Sequence, residues 1–226
     1  MKQIHHADCL LCRSSTVTDF AVAHGRRYGT CATCGLIQMT REHHLTPAAE
    51  LAHYHLHQND PADAGYRAFL NRLGAPLAAR LPAGAEGLDY GSGPGPTLSV
   101  MLEEQGFRLQ LYDPFFAPGI DVLNRTYDFI TCTETVEHFF HPADEFDRLD
   151  RMLRPGGWLG IMTEVFRDHT PFGQWRYARD PTHTCLYRPE TMAWIAERFG
   201  YRMREPHPTV RLFQKPLPPP PAGADE

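Results

Sequence analysis

Thr133-Glu134-Thr135-Val136-Glu137-His138 sets two carboxylates and an imidazole within a few residues, and a helical turn there would put Glu134, Glu137 and His138 on one face. Such a cluster repels itself unless a cation or a proton sits among its members. Two plainer roles stand beside that one: the glutamates favour a helix start, or His138 makes a structural hydrogen bond. Four cysteines form a second cluster. Cys9-Leu-Leu-Cys12 and Cys31-Ala-Thr-Cys34 are separated by eighteen residues, with Gly25, Gly29 and Gly35 marking turns. This is the layout of a zinc ribbon, in which four thiolates close a tetrahedral structural Zn²⁺ at ~2.3 Å and the metal replaces the core that a short segment lacks. In a reducing compartment, paired C-x-x-C segments read as metal ligation more readily than as disulfides. Cys132 and Cys185 lie far from them, and most of His5, His6, His43, His44, His53, His55 and His57 read as surface residues, with adventitious metal affinity as the lesser alternative.

The third set is a turn. Leu88-Asp89-Tyr90-Gly91-Ser92-Gly93-Pro94-Gly95 runs from a strand end through glycines into a helix, so that a ligand can approach the backbone closely. Pro96 stands where a dinucleotide fingerprint needs glycine, so G-x-G-x-x-G fails while D-x-G-x-G-x-G is complete. That difference selects S-adenosylmethionine (SAM) over NAD. Asp113 closes the next strand eighteen residues after Gly95, where a carboxylate can hold both hydroxyls of a ribose.

Positioning these groups requires a sheet. Short apolar runs at Gly87–Tyr90, Arg108–Tyr112, Tyr127–Thr133 and Trp158–Thr163 alternate with helical patterns at Pro94–Gln105, Pro142–Leu153 and Pro189–Phe199. The alternation predicts an α/β fold with a mostly parallel sheet covered by helices. Upstream, Tyr66, Phe69, Leu70, Leu73, Leu77 and Leu81 recur at helical spacing within Asp60–Leu81, where Gly74 and Pro76 are expected to kink or divide the helix. The expected organisation is a ribbon over 1–46, a helical connector over 47–83, a catalytic domain over 84–213 and an extended Pro-rich tail over 214–226.

From about Gly84 to Phe213 the chain resembles the class I SAM-dependent methyltransferases. The landmarks are Leu88–Gly95, Tyr112-Asp113, Tyr127-Asp128-Phe129-Ile130, Leu153-Arg154-Pro155-Gly156-Gly157 and Gly160-Ile161-Met162-Thr163. The resemblance implies a Rossmann-like, doubly wound sheet and a SAM site formed by Asp89, Tyr90, Gly91, Gly93, Gly95, Asp113, Pro114 and Thr133. Only fourteen residues separate Asp113 from Asp128, too few for the usual helix, third strand and helix. The sheet is therefore expected to be abbreviated there, the family's adenine-binding acidic residue has no counterpart, and Phe115 or Phe116 is left to pack on adenine. E-x-x-E-H followed by a histidine before the last helix is similar to the metal site of small-RNA 2′-O-methyltransferases, and the E-x-x-E-H part to ubiquinone-pathway O-methyltransferases. That similarity implies Glu134, Glu137, His138 and His183 as ligands of a second divalent cation (Mg²⁺, Mn²⁺, Fe²⁺, Co²⁺ or Zn²⁺), with Glu134, His138 and His183 as catalytic residues. Phe166, Phe172, Trp175 and Tyr177 are candidates for an apolar acceptor pocket, although core packing is their commoner role.

The 226 residues carry a formal net charge of −5 and no long basic run. The segment up to Pro47 has five basic residues against three acidic ones, which disfavours nucleic acid and points to a small-molecule methyl acceptor. No apolar stretch is long enough to span a bilayer and the first residues lack a signal-peptide core, so a cytoplasmic protein is expected. The favoured reaction is metal-assisted O-methylation of a molecule with vicinal oxygens. Three others remain open: metal-independent N-, S- or C-methylation, RNA methylation guided by the ribbon, and a non-catalytic module that binds SAM or a partner.

Overall fold

The computed structural model describes residues 8–55 and 59–219; His5, His6, His57 and the end of the expected tail lie outside them. Two sheets organise the molecule. The first begins with antiparallel strands β1 (Val17–Ala23), β2 (Arg26–Cys31) and β3 (Ile37–Met39). Helices α1 (Pro47–Tyr54) and α2 (Ala64–Ala78) follow, each started by a side-chain cap, Thr46 for α1 and Asp63 for α2. Helix α2 runs through Gly74 and Pro76 without a break, so these residues do not divide it. Pro76 lies in the last turn, where its missing N–H removes only one bond, and Gly74 is buried against Leu98.

The second sheet comprises β4 (Glu86–Tyr90), β5 (Arg108–Tyr112), β6 (Tyr127–Thr133), β7 (Leu153–Met162), β9 (Arg202–His207) and β10 (Val210–Gln214) in the order β5-β4-β6-β7-β10-β9. The first four pair in parallel, and β10 returns antiparallel on β7. Helix α3 (Thr97–Glu103) links β4 to β5, α4 (Pro142–Met152) links β6 to β7, and α5 (Pro189–Phe199) ends at Gly200 in the left-handed region, φ 67°. Between β5 and β6 the described chain makes only a short 3₁₀ turn, Ile120–Asn124, so β5 is a sheet edge and the abbreviation expected there is real. Strands buried on both faces feed two cores. Phe129 packs with Leu73, Leu77, Leu98 and Leu102 on the side of α2 and α3, while Ile130 packs with Phe146, Leu149 and Ile195 on the side of α4 and α5.

The cysteine-bearing segment is built into this body. Strand β3 pairs with β8 (Cys185–Leu186), a two-residue strand that directly follows His183-Thr184, and the Met39 amide donates to the Thr184 carbonyl at 2.9 Å. Cys9, Leu10, Leu11, Cys31, Cys34 and Leu36 belong to the same core as Val136, Phe146 and Ile195. Phe166, Phe172, Trp175 and Tyr177 fill a third core with Ala23, Tyr28, Ile37 and Met39 between the first sheet and the loop after β7. They are spent on joining the two sheets and do not line the main cavity, which corrects the acceptor-pocket expectation.

Candidate active site

The chain winds outward from β4 to β5 in one direction and from β6 to β7 in the other, so the strand order reverses between β4 and β6. A crevice must open at the carboxyl ends of these two strands, because their following loops depart to opposite sides. The glycine turn follows β4 and Glu134–His138 follows β6. A cavity of about 650 Å³ opens there, lined among others by Asp89 to Leu98, Tyr112 to Phe116, Thr133 to Thr135, His138 and His183.

The glycines answer to local geometry. Gly91 holds φ 79°, and a Cβ on it would lie 2.2 Å from the Thr135 side chain; a Cβ on Gly95 would lie 2.2 Å from the Asn59 carbonyl. The Asp89 carboxylate is buried and accepts from the hydroxyls of Ser99 and Thr131, both at 2.8 Å, which ties the turn to α3 and β6. Burial pushes its pKa upward. Tyr90 sends its hydroxyl to Glu145 and receives a bond from Arg148. Asp113 accepts from the amides of Phe115 and Phe116 on Oδ1 (2.9 and 3.0 Å) and from Gly93 on Oδ2 (3.0 Å). It thereby stitches the end of β5 to the glycine turn. Pro114, Phe115, Phe116 and Thr133 line the same cavity.

The groups after β6 separate. Glu134 occupies a left-handed conformation, φ 51°, and the helical turn that follows is a single 3₁₀ turn, Val136–His138. The three side chains therefore do not share one helical face. Glu137, His138 and His183 converge, each offering a ligand atom within 4.8 Å of the others. The Glu134 carboxylate stands outside this trio and accepts from the Tyr177 hydroxyl at 2.6 Å. Glu137 is fully buried: Oε2 accepts from Thr163 at 3.0 Å, and Oε1 has no partner among the described residues. Burial, and then the neighbouring Glu134 charge, drive the Glu137 pKa well above the usual carboxylate range. His183 is fixed by Nδ1, which lies 2.9 Å from the Tyr177 carbonyl and so must carry the proton, leaving the Nε2 lone pair for chemistry. Burial lowers its pKa to about 4, against the opposing pull of Asp180, whose Oδ2 lies 3.9 Å from Nε2. The ring is neutral, which is the state of a ligand.

Several lining residues carry no motif. Helix α1 contributes Glu50 and Tyr54, and His53 of the same helix, half-buried, pairs with Asp180 of the cavity wall at 3.3 Å. Only the long-range folding of α1 over the crevice reveals them. The sulfurs of Cys9 and Cys34 lie 3.5 Å apart and those of Cys12 and Cys31 3.4 Å apart, with all four within 4.8 Å of one another. A tetrahedron with 2.3 Å arms has edges of ~3.8 Å, so the four thiols suit a single zinc ion with little adjustment.

Residues 56–205, more than half of the chain, match the family described as methyltransferase domain. No curated protein matches by sequence. Among solved structures, the 1,6-didemethyltoxoflavin N1-methyltransferase of Burkholderia thailandensis, with 1,6-didemethyltoxoflavin and S-adenosylhomocysteine (SAH) bound, is similar at TM-score 0.51. Its identity is 14%, over 88% of this chain and 99% of that one. A protein of Pyrococcus horikoshii OT3 is similar at TM-score 0.49 and 14% identity, over 73% and 98% of the two chains. The order of the sheet, the glycine turn at its switch point and the family match together make the chain a member of the methyltransferase domain family and a class I SAM-dependent methyltransferase.

Proposed function

We propose that the protein O-methylates a small molecule with vicinal oxygens, assisted by a divalent cation held by Glu137, His138 and His183. The observation that carries this reading is the trio itself: two imidazoles and a fully buried carboxylate whose Oε1 lacks a partner among the described residues, with both imidazoles facing the cavity beside the glycine turn. A buried carboxylate with one oxygen unpartnered is costly unless a cation or a proton compensates it. Glu134, expected as a fourth ligand, acts in this reading by holding Tyr177, whose carbonyl in turn orients His183. Mixed imidazole and carboxylate donors suit manganese, iron, cobalt or zinc better than magnesium. Such a cation lowers the pKa of a substrate hydroxyl and so makes its oxygen nucleophilic at neutral pH. SAM supplies the electrophilic methyl group. The protein aligns the two partners and excludes water from the crevice, which is most of the work in an in-line displacement. Asp89, Tyr90, Gly91, Gly93, Gly95, Asp113, Pro114 and Thr133 form the cofactor wall, and Cys9, Cys12, Cys31 and Cys34 hold a structural zinc.

A second reading has its own support. His183 Nε2, with Asp180 nearby to stabilise an imidazolium, can act as a general base for N-, S- or C-methylation without a metal. A pKa of about 4 makes it a weak base, which favours the first reading. Mn²⁺ titration followed by electron paramagnetic resonance separates the two. We expect one Mn²⁺ per chain besides the ribbon zinc, lost in His183→Ala and Glu137→Gln while SAH affinity stays within a few-fold. Turnover on catechols or sugars should vanish on chelation and return with metal. Full turnover after chelation, with the ribbon zinc retained, would leave only the general-base reading.

A further inference from the structure

Helix α1 buries a single residue, and that residue is a carboxylate. In Pro47-Ala-Ala-Glu-Leu-Ala-His-Tyr54 the alanines are exposed and Leu51 is half-buried, while Glu50 is only 5% exposed. A helix on a protein surface normally buries its apolar stripe. Glu50 instead points into the main cavity, where its Oε1 accepts from the Tyr54 hydroxyl at 2.7 Å and its charged neighbour is the like-charged Asp113. Burial raises its pKa, and Asp113 adds to the rise against the Tyr54 bond. Among the described residues only the Tyr54 hydroxyl answers this carboxylate, which leaves room for the hydrogen-bond donors of a ligand.

The acceptor count on Asp113 identifies those donors. A carboxylate oxygen has two lone pairs. Oδ1 of Asp113 is saturated by the amides of Phe115 and Phe116, and Oδ2 already takes the Gly93 amide, so one acceptor site remains. A ribose diol brings two hydroxyls. The loop of a third strand, which could carry another acid beside the ribose, is replaced here by the 3₁₀ turn Ile120–Asn124.

We propose that Glu50 supplies the second acceptor, so that the carboxylates of Asp113 and Glu50, which line the same cavity, divide the two ribose hydroxyls of the cofactor between them. The Tyr54 hydroxyl orients Glu50 for this contact, and the Tyr54 ring, 5.8 Å from Phe115 and 5.4 Å from His138, spans the boundary between the nucleoside end and the reacting end. The site thereby selects a ribonucleoside over a deoxyribonucleoside, and helix α1 completes the cofactor pocket that the shortened sheet leaves open.

Calorimetry on the full chain tests this with SAH and its 2′-deoxy and 3′-deoxy analogues, without metal or acceptor. The outcome is therefore independent of the metal reading above. Glu50→Ala should weaken SAH about ten- to a hundredfold, the scale of a hydrogen bond to a charged group, and Glu50→Gln should weaken it less. One deoxy analogue should bind the wild type more weakly by a similar factor, yet bind Glu50→Ala no more weakly than SAH does, because the two changes remove the same contact. Thermal melts without ligand check folding, and Glu50→Gln should keep or raise Tm because it removes a buried charge. The proposal fails if Glu50→Ala binds SAH within twofold of wild type, or if loss of a hydroxyl and loss of the carboxylate weaken binding independently for both analogues.

Discussion

Asp113 and Gly93 each bear on both the local fold and the proposed cofactor wall. Asp113 fixes three backbone amides of the proposed cofactor wall, so Asp113→Ala would strand those donors as well as lose the proposed ribose contact. At ~1.5–3 kcal/mol for each bond to a charged group, SAH affinity should fall by at least a hundredfold. Gly93 has φ 63° and lines the cavity, so Gly93→Val would impose a branched side chain on a conformation it rarely adopts and fill the space beside it. Calorimetry with SAH checks both variants, with circular dichroism to confirm folding; affinity within threefold of wild type in both would contradict the assignment of this wall.

At the scale of elements, the two-residue strand β8 deserves comparison with the long strands of the central sheet, because it links the cysteine cluster to His183. Strand β3 holds β8 through the Ile37–Leu186 and Gln38–Cys185 pairs, and the Thr184 amide donates to the Glu137 carbonyl at 2.9 Å. The Leu10 amide donates to the Gln38 side chain at 2.9 Å, so the first cysteine knuckle braces β3 in turn. Cys12→Ser should therefore loosen His183 as well as the ribbon. Hydrogen exchange at the Met39 and Thr184 amides should quicken at least tenfold, while SAH affinity stays within a few-fold, since the glycine turn belongs to the other sheet. Exchange unchanged at both amides would show that the ribbon and the loop are mechanically separate. Sequence periodicity gave α5 and β5 to the residue, because each is short, regular and bounded by Pro or Gly. It missed α1, whose buried side chain is an acid, and the β9–β10 hairpin, whose first strand is largely exposed.

On the scale of the whole molecule, the shared core argues that the cysteine-bearing segment and the central sheet unfold together. Leu36, just past the second cysteine pair, has no exposed surface and belongs to the cluster that includes Met192 and Ile195 of α5. Leu36→Ala should cost ~2–5 kcal/mol and move a single urea transition, with tryptophan fluorescence and far-ultraviolet dichroism coinciding and the slope unchanged. A separate early transition confined to the ribbon would contradict this. No described helix is long and apolar enough to cross a membrane.

Local chemistry in the chain was enough to specify the cysteine cluster, the glycine turn, the acidic end of β5 and the shortened region after it. Each depends on residue type and spacing within one or two adjacent elements, where backbone geometry leaves few alternatives. The active-site partners depended on contacts that spacing does not encode. Glu134 turned aside because its backbone entered the left-handed region and Tyr177, forty-three residues on, offered a donor. His183 reached Glu137 and His138 because β8 joined the first sheet, and the aromatic run became core because two sheets had to be joined. Glu50 came to line the same cavity as Asp113, at the reversal of strand order. Such meetings are fixed by where burial and hydrogen bonding can be satisfied simultaneously in three dimensions, and only the tertiary fold decides that.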